Sequence, residues 1–307
     1  MTATSTNFGD ILNPQISEAF DDEYPKLADR IGDFFRMGDP SEYPGKDRAQ
    51  FTEVGGFGDM AEFTGTLLYD DVSQGYDRTM VHKVYAKGFQ VERTLFEDDL
   101  LNVILSKPRD MADAYVRTRQ KHGASIWNNA FSVDSTWLSG GDGQALCADA
   151  HTTTDPSVST ASGFDNLVTT AFSATALVSA RIQFRSIKDL AGNIFSVSPD
   201  FVLHPKEIYD TVYEVLEASG KPGVTTNDPN VHKGGYTYDD WEYLTDTNNW
   251  FLIDKTQMKK YLLWIDRVPK EFGMVEDFDT FNAKWRLRCR YSLGALGWRW
   301  LIGAQVS

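Results

Sequence analysis

The sequence predicts an α+β fold: a long amphipathic helix, two sets of long strands and an extended N-terminal segment. Three observations predict it. Residues 79–92, TMVHKVYAKGFQVE, alternate with a period of two, and so do residues 281–296. Residues 108–131 carry apolar side chains at helical spacing. Residues 1–50 contain Pro14, Pro25, Pro40 and Pro44 among apolar residues too scattered to build a core.

That first segment reads as an arm. A short helix over residues 10–36 carries Ile11, Ile16, Phe20, Leu27, Ile31, Phe34 and Phe35, broken by the prolines. Such a segment orders by lying on another surface. The alternating run that follows places Met80, His82, Val84, Ala86 and Gly88 on one side. Val81, Lys83, Tyr85, Lys87, Phe89 and Val91 take the other. FTGTLLYDD, residues 63–71, is its expected partner in a long hairpin closed by VSQGYDR. A lone two-stranded ribbon is marginal in water, so it needs a further surface.

A short helix is expected at TLFEDDLLNVILSKP, where Thr94 and Glu97 have capping-box spacing. Pro108 then opens a second, longer helix at the position where a missing N–H is harmless. Met111, Tyr115, His122, Ile126 and Ala130 form its apolar stripe, flanked by Trp127 and Phe131. Arg109, Arg117, Arg119 and Lys121 are assigned to the opposite, solvated face. Gly123 weakens this helix by about 1 kcal/mol.

A polar loop over residues 133–163 leads to a helix with Ser173 as N-cap and Leu177, Val178 and Phe184 inside. IFSV and FVLH read as strands. Pro205 opens a helix with Ile208, Val212, Val215 and Leu216 on one face, ended by Ser219 and Gly220. After the loop KPGVTTNDPNVHKGG come DWEYLTD, NWFLID and KYLLWIDR as strands. In the last long run Trp285, Leu287, Cys289 and Tyr291 alternate with Arg286, Arg288 and Arg290.

With 307 residues, 41% of them apolar, the chain can fill a core. Its net charge of −14 argues against tight DNA binding, which needs clustered cations. The acidity favours solubility. The start of the chain has no basic, apolar leader, and no window has the roughly 18 apolar residues of a membrane span. Two cysteines, Cys147 and Cys289, are too few for a disulfide framework and lack zinc spacing.

The search for chemistry assigns no catalytic, cofactor-binding or metal-binding residue. His82, His122, His151, His204 and His232 form no ligand motif. His151 lies near Cys147 and Asp149 in LCADAHTTTD, but a Cys–His nucleophile is assembled in space, so this nearness counts for little. The pairs Asp21–Asp22, Asp70–Asp71, Asp98–Asp99 and Asp239–Asp240 would suit a two-carboxylate carbohydrate-active enzyme. Chance pairs in a chain with 44 acidic residues explain them better. GGFGD, at residues 55–59, reads as a hinge and GGDG, at 140–143, as a turn, because neither has the Lys and context of a phosphate loop. The three strand arginines are expected to pair with neighbouring carboxylates.

The order of elements, with certain motifs, resembles the tailed-phage major capsid proteins of the Hong Kong 97-type fold, and within them the Mu-like major head subunit family. The motifs are GFQVERTLFEDDL, WNNAF followed by LCADAH, the block AGNIFSVSPDFVLHPKEIYDTVYEVL, and WIDR followed by the arginine strand, together spanning residues 63–300. LCADAH departs from the family's commoner Phe-containing form, and a longer Thr/Ser insertion follows His151. The resemblance implies an N-terminal arm over residues 1–50 and a long β-hairpin (E-loop) over 51–93. It places a P-domain with a spine helix at 94–165, an α/β A-domain at 166–255, and return strands of the P-domain with the C-terminus at 256–307. It implies hexamers and pentamers in an icosahedral virion shell, assembled in the host cytoplasm around double-stranded DNA. Arm and hairpin would lie over neighbouring subunits, and the tip loop 221–235 would gather at five- and six-fold centres. Portal and decoration proteins would be partners. A separate scaffolding protein is expected, since fewer than a hundred residues precede the hairpin. Some members crosslink a hairpin Lys to a neighbour's Asn. Lys83 and Lys87 lie in this hairpin, but no partner Asn or catalytic Glu is identified, so solvated lysines are expected. An encapsulin-like compartment shell would share the fold.

Overall fold

The computed structural model describes residues 17–27, 29–42, 47–56, 59–60, 62–63, 65, 67, 69, 74–92, 101–138, 140–220, 228–277 and 282–307. A helical segment at residues 17–23 comes first. Helix α1 (Ile31–Phe34) and strands β1 (Arg36–Gly38), β2 (Arg48–Val54), β3 (Gln74–Val81) and β4 (Lys83–Glu92) follow. Next are helix α2 (Leu101–Asn128), strand β5 (Leu167–Val168), helix α3 (Ala174–Arg185), strand β6 (Phe201–His204) and helix α4 (Tyr209–Glu217). Strands β7 (Thr237–Asp240) and β8 (Trp250–Ile253), helix α5 (Lys255–Tyr261), and strands β9 (Leu262–Glu276), β10 (Asn282–Ala295) and β11 (Leu301–Ala304) complete the chain.

Three sheets organise these elements. One has the order β1-β9-β10-β4, a second β5-β11-β8-β6-β7, and β2 pairs with β3 alone. The strands β9 and β10 run 15 and 14 residues, about 45 Å at 3.3 Å per residue. Their inner face carries Leu287, Cys289 and Tyr291, which pack with the α2 stripe of Met111 and Tyr115 in one core. That core continues into the second sheet, whose strands β6, β8 and β11 are buried along their whole length. Trp127, Trp241, Trp250, Trp264 and Trp300 are fully buried in it.

The long helix is continuous through Pro108 and does not restart there. Proline removes one helical hydrogen bond and crowds the carbonyl a turn earlier. Packing of the stripe from Met111 to Trp127 outweighs that local loss. Thr94 and Glu97 lie outside the described residues.

The hairpin is also paired differently from expectation. The alternating run divides at His82: β3 pairs with β2 upstream, Ala49 opposite Met80, while β4 joins β10 with Phe89 opposite Trp285. Of FTGTLLYDD only Phe63, Gly65, Leu67 and Tyr69 are described, and none lies in a strand. Period two identifies a strand but not its partner. The aromatic pairs along β10 decide it, with Phe89 and Trp285 stacked at 5.1 Å and Tyr85 and Tyr291 at 4.8 Å.

Smaller differences follow from burial. Ser173 caps α3 as expected, accepting the Ala176 N–H at 3.1 Å. IFSV forms only an isolated bridge at Ile194, which is exposed. DWEYLTD is a turn after β7. Residues 255–261 form helix α5, capped by Asp254, whose carboxylate accepts the Gln257 N–H at 2.9 Å.

Residues 29–42 lie on the chain's own body and do not project as a free arm. Strand β1 runs parallel to β9, Phe34 stacks on Trp241 at 4.6 Å, and Phe35 packs edge-on to Trp264. Gly123 makes this possible: a Cβ there would come within 2.6 Å of Ile31 and 2.9 Å of Trp241. In denaturant unfolding, Gly123→Ala is therefore expected to lower stability. Overpacking of about 1–3 kcal/mol exceeds the helix-propensity gain of about 1 kcal/mol. A more stable variant would show that α1 shifts aside without loss.

Candidate assembly surfaces and buried polar centres

The ribbon β2–β3 is fastened at its base and along its length. Ala49 and Met80 pack on Leu263 and Ile265 in a small core of their own. Further out, Glu53 pairs with Arg299 at 2.7 Å, Tyr76 bonds Thr152 at 2.6 Å, and Thr154 donates to the Gln74 carbonyl at 3.2 Å. The GGDG turn receives β3, because Gly140, Gly141 and Gly143 all have positive φ and the Gly141 N–H bonds the Asp77 carbonyl at 2.8 Å. A Cβ on Gly141 would strike the Arg78 guanidinium at 2.5 Å. Beyond the ribbon, Val54, Met60, Phe63, Leu67 and Tyr69 are exposed, Met60 completely. Exposed apolar side chains this closely spaced mark an interaction surface.

Two buried polar centres orient the body. The first is Arg119, assigned from sequence to the solvated face of α2 but 4% exposed. Its guanidinium donates to both Asp266 oxygens, at 2.7 and 3.2 Å, and lies 3.5 Å from Asp29. It also sits over the rings of Trp264, Tyr115 and Tyr291. Helix, sheet and N-terminal segment thus meet at one fork-shaped cation. A helical wheel places Arg119 among charged neighbours, and only the apposed Asp266 shows why it turns inward.

The second centre is His151. Its Nδ1 is 2.6 Å from Asp142, its Nε2 is 3.0 Å from Asn166 Oδ1, and its ring stacks on Trp298 at 4.0 Å. Asn166 Nδ2 donates to the Leu146 and Leu301 carbonyls, so its Oδ1 faces the ring and the Ala148 N–H. Burial works against the Asp142 carboxylate, but His151, the Gln144 N–H and Arg78 hold it below its ordinary range. Neither sequence neighbour takes part: Asp149 is exposed, and burial pushes the Cys147 thiol well up. With Asn166 on the second nitrogen, the centre positions loops and presents no nucleophile.

The remaining candidates have structural partners. His122 bonds the Tyr291 hydroxyl at 2.7 Å, and His204 bonds the Pro205 carbonyl at 2.9 Å. His232 is buried. Burial raises the Cys289 thiol to about 11. Among the described residues no three His, Cys, Asp or Glu side chains could hold a metal ion. Asp21 pairs with Lys270, and Asp239 with Arg30, tying the N-terminal segment to the body. Asp70, Asp71, Asp98 and Asp99 lie outside the described residues. Of the strand arginines, Arg288 pairs with Glu271 at 3.1 Å and Arg290 donates to the His82 carbonyl at 3.3 Å. Lys83 lies over the Trp137 ring at 4.6 Å.

His82, at the junction of β3 and β4, is buried, with Nδ1 2.8 Å from the Ser292 hydroxyl. Burial first, then Arg290 and Arg267, lower its pKa against the opposite pull of Asp47. Such a group stabilises the fold above its unfolded value of about 6.5, and that contribution is lost as pH falls through this value toward the folded one. Unfolding curves between pH 7.5 and 5.5 should show a stability loss that His82→Asn reduces. Equal pH slopes would remove His82 from the acid response. Arg119→Lys should cost about 2–3 kcal/mol at neutral pH, since it breaks the two-pronged contact with Asp266. A loss below about 0.5 kcal/mol, the level of ordinary surface changes, would show that the site needs only a charge.

Comparison with known proteins places this architecture. The family model described as phage capsid protein matches residues 77–304. Among curated proteins there is no match. The procapsid of bacteriophage JBD30 is similar at a TM-score of 0.52 and 14% identity, over 99% of this chain and 76% of that one. The mature capsid of bacteriophage PhiM1 is similar at 0.54 and 10%, over 89% and 86%. A virus-like particle from Pyrococcus furiosus is similar at 0.54 and 8%, over 95% and 98%. With a helix along a long-stranded sheet, a second α/β sheet and a fastened ribbon with an apolar end, the chain belongs to the phage capsid protein family and has the Hong Kong 97-type fold.

Proposed function

We propose that this chain is the major head subunit of a tailed phage of the Mu-like group, closing into an icosahedral shell of hexamers and pentamers around double-stranded DNA. Its role is structural and not enzymatic. The observation that carries this reading is the exposed apolar end of the ribbon, from Val54 to Tyr69, on a chain whose body already has a complete core. Those side chains gain burial only against another copy, and interfaces of obligate assemblies bury about 2,000 Å² or more.

In this reading the segments are an N-terminal arm over residues 1–50, a hairpin over 51–93, a P-domain over 94–165 with its return strands at 256–307, and an A-domain over 166–255. The paired strands β2 and β3, from Arg48 to Val81, support a ribbon within the hairpin segment. A separate scaffolding protein, a portal and decoration proteins complete the proposed partners. The net charge of −14 favours a wall that does not grip its nucleic acid.

A second reading rests on the similarity to a virus-like particle: a cellular compartment shell of the same fold. The contents of isolated particles separate the two. DNA inside supports the phage head, and cargo protein without DNA supports the compartment.

The assembly reading has a direct test. Purified protein examined by sedimentation and negative-stain electron microscopy should form capsomers, sheets or shells. Replacing residues 57–73 by a short Gly/Ser link should leave the thermal transition of the body in place and abolish those assemblies. A deleted variant that assembles as the full chain does would overturn the role given to the ribbon.

A further inference from the structure

Strand register divides the sheet β9-β10-β4 into two unlike faces. Trp285, Leu287 and Cys289 share the covered face with Phe89, Lys87 and Tyr85. The opposite face carries cross-strand rows centred on cations. Lys284 lies between Gln90 and Val275, Arg286 between Gly88 and Gly273, and Arg288 between Ala86 and Glu271. This face is open: Val84 and Val275 are 53% and 62% exposed, and Ala86, Gly88 and Arg286 are exposed too.

The middle row is unusual. Arg286 has a glycine at its own register on each neighbouring strand. A Cβ on Gly88 would come within 2.7 Å of the Trp285 carbonyl, so the sheet itself requires that glycine. A Cβ on Gly273 would make only an ordinary contact, 3.6 Å from Arg286 Nε. The guanidinium therefore lies across bare backbone with no side-chain wall on either strand. Among the described residues it has no hydrogen-bond or ion-pair partner, whereas Lys284 has Asp277 and Arg288 has Glu271. Glycines in a strand mark places where another backbone can come close, and a planar guanidinium takes a carboxylate through two donors.

The same chain holds a complementary segment. Residues 49–77 include Glu53, Asp59, Glu62, Asp70, Asp71 and Asp77 and no Lys, Arg or His. Within it Asp59, Met60, Glu62 and Phe63 are all exposed, carboxylates interleaved with apolar side chains. The open face offers the counterpart, Arg286 and Arg288 among Val84, Ala86 and Val275.

The segment cannot reach the row on its own molecule. Met80 lies against Gly294, while Gln74 and Glu53 are held at the ribbon's far end by Thr154 and Arg299. Arg286 is eight residues further down β10 from Gly294, toward the other end of the sheet. Laid end to end, those eight strand residues and the six from Met80 to Gln74 make roughly 45 Å of strand at 3.3 Å each. Asp59 and Glu62 lie six and nine residues from the anchored Glu53, a reach of at most about 21 and 32 Å.

We propose that the Gly88–Arg286–Gly273 row seats a carboxylate-bearing segment of a second copy of this chain, through that copy's Asp59 and Glu62. The assignment rests on the assembly reading above and specifies the surface that receives the ribbon. It makes assembly salt-sensitive, since rim charges are screened at high ionic strength.

Charge exchange tests it. Arg286→Glu with Arg288→Glu should raise the protein concentration needed for assembly about tenfold or more without shifting the thermal transition of the unassembled body. Asp59→Lys with Glu62→Lys should do the same. The four substitutions together should restore assembly, because the charges again oppose. If the first pair lowers the thermal transition, Arg286→Gln with Arg288→Gln replaces it, with the same direction and a weaker salt response expected. Wild-type assembly by either arginine variant overturns the proposal, as does a four-fold variant no better than its parents. Loss of assembly on replacing residues 57–73, with none on altering Arg286 and Arg288, sinks only this seat. Assembly that survives both changes sinks the ribbon's role as well.

Discussion

A sheet has two faces, and among the described residues this chain covers most of one and less of the other. Helix α2 and the N-terminal segment lie over the face that carries Trp264, Leu287 and Tyr291. On the other side, among the described residues, the ribbon base covers Leu263 and Ile265. Further along, Arg286 is exposed and Lys284 and Arg288 are half-buried. Among the described residues, no other element of the chain lies over this stretch, and the ribbon is rooted near Gly294, at the other end of β10. Buried core, exposed ribbon and open face are thus consequences of one topology. Among the described residues, the strands are longer than the elements that cover them, and the proposed seat lies on the length left over.

Within the body, buried charges set orientation. A buried ion pair adds little net stability compared with apolar packing, because both partners lose water. Removing one partner is costly, however, and only one arrangement satisfies both. Arg119 therefore makes the angle of α2 on the sheet depend on Asp266, in a strand 147 residues away. His151 does the same for the loop from Gly140 to Asn166, and through Arg78 and Asp142 that loop meets β3. The ribbon then leaves the body in a direction the core determines. Glu53 and Arg299 secure it again at its far end.

Much of this was legible in the sequence, and the limits are physical. Period two marked β3, β4 and β10 because each strand meets a core on one side, and the α2 stripe was plain for the same reason. Ser173 was found because a cap is a local interaction. Strand partners were not legible: β4 pairs with β10 across nearly two hundred residues, and alternation holds no information about distance along the chain. Arg119 and Asp142 were missed because a buried charge looks like a surface charge until its partner is in place. Strand β11 was missed for the opposite reason. Buried on both faces, it shows no alternation, and four apolar residues do not distinguish a strand from a helix end. The resemblance of ordered motifs supplied the architecture that local patterns could not.

The anchored ribbon also bears on how copies meet. Association has to overcome the loss of translational freedom and the ordering of flexible side chains and loops. A hairpin free over its whole length would add the ordering of both strands at the moment of contact. Here the backbone of β2 and β3 is already paired, and Glu53, Tyr76 and Gln74 are held against the body. Only the segment beyond Val54 is left without such ties among the described residues. Its exposed apolar and acidic side chains are therefore presented from a fixed root, and the ordering of β2 and β3 does not add to the cost of contact. The glycines beside Arg286 act in the same sense on the receiving side, where a flat seat needs no side chain to move before another backbone arrives.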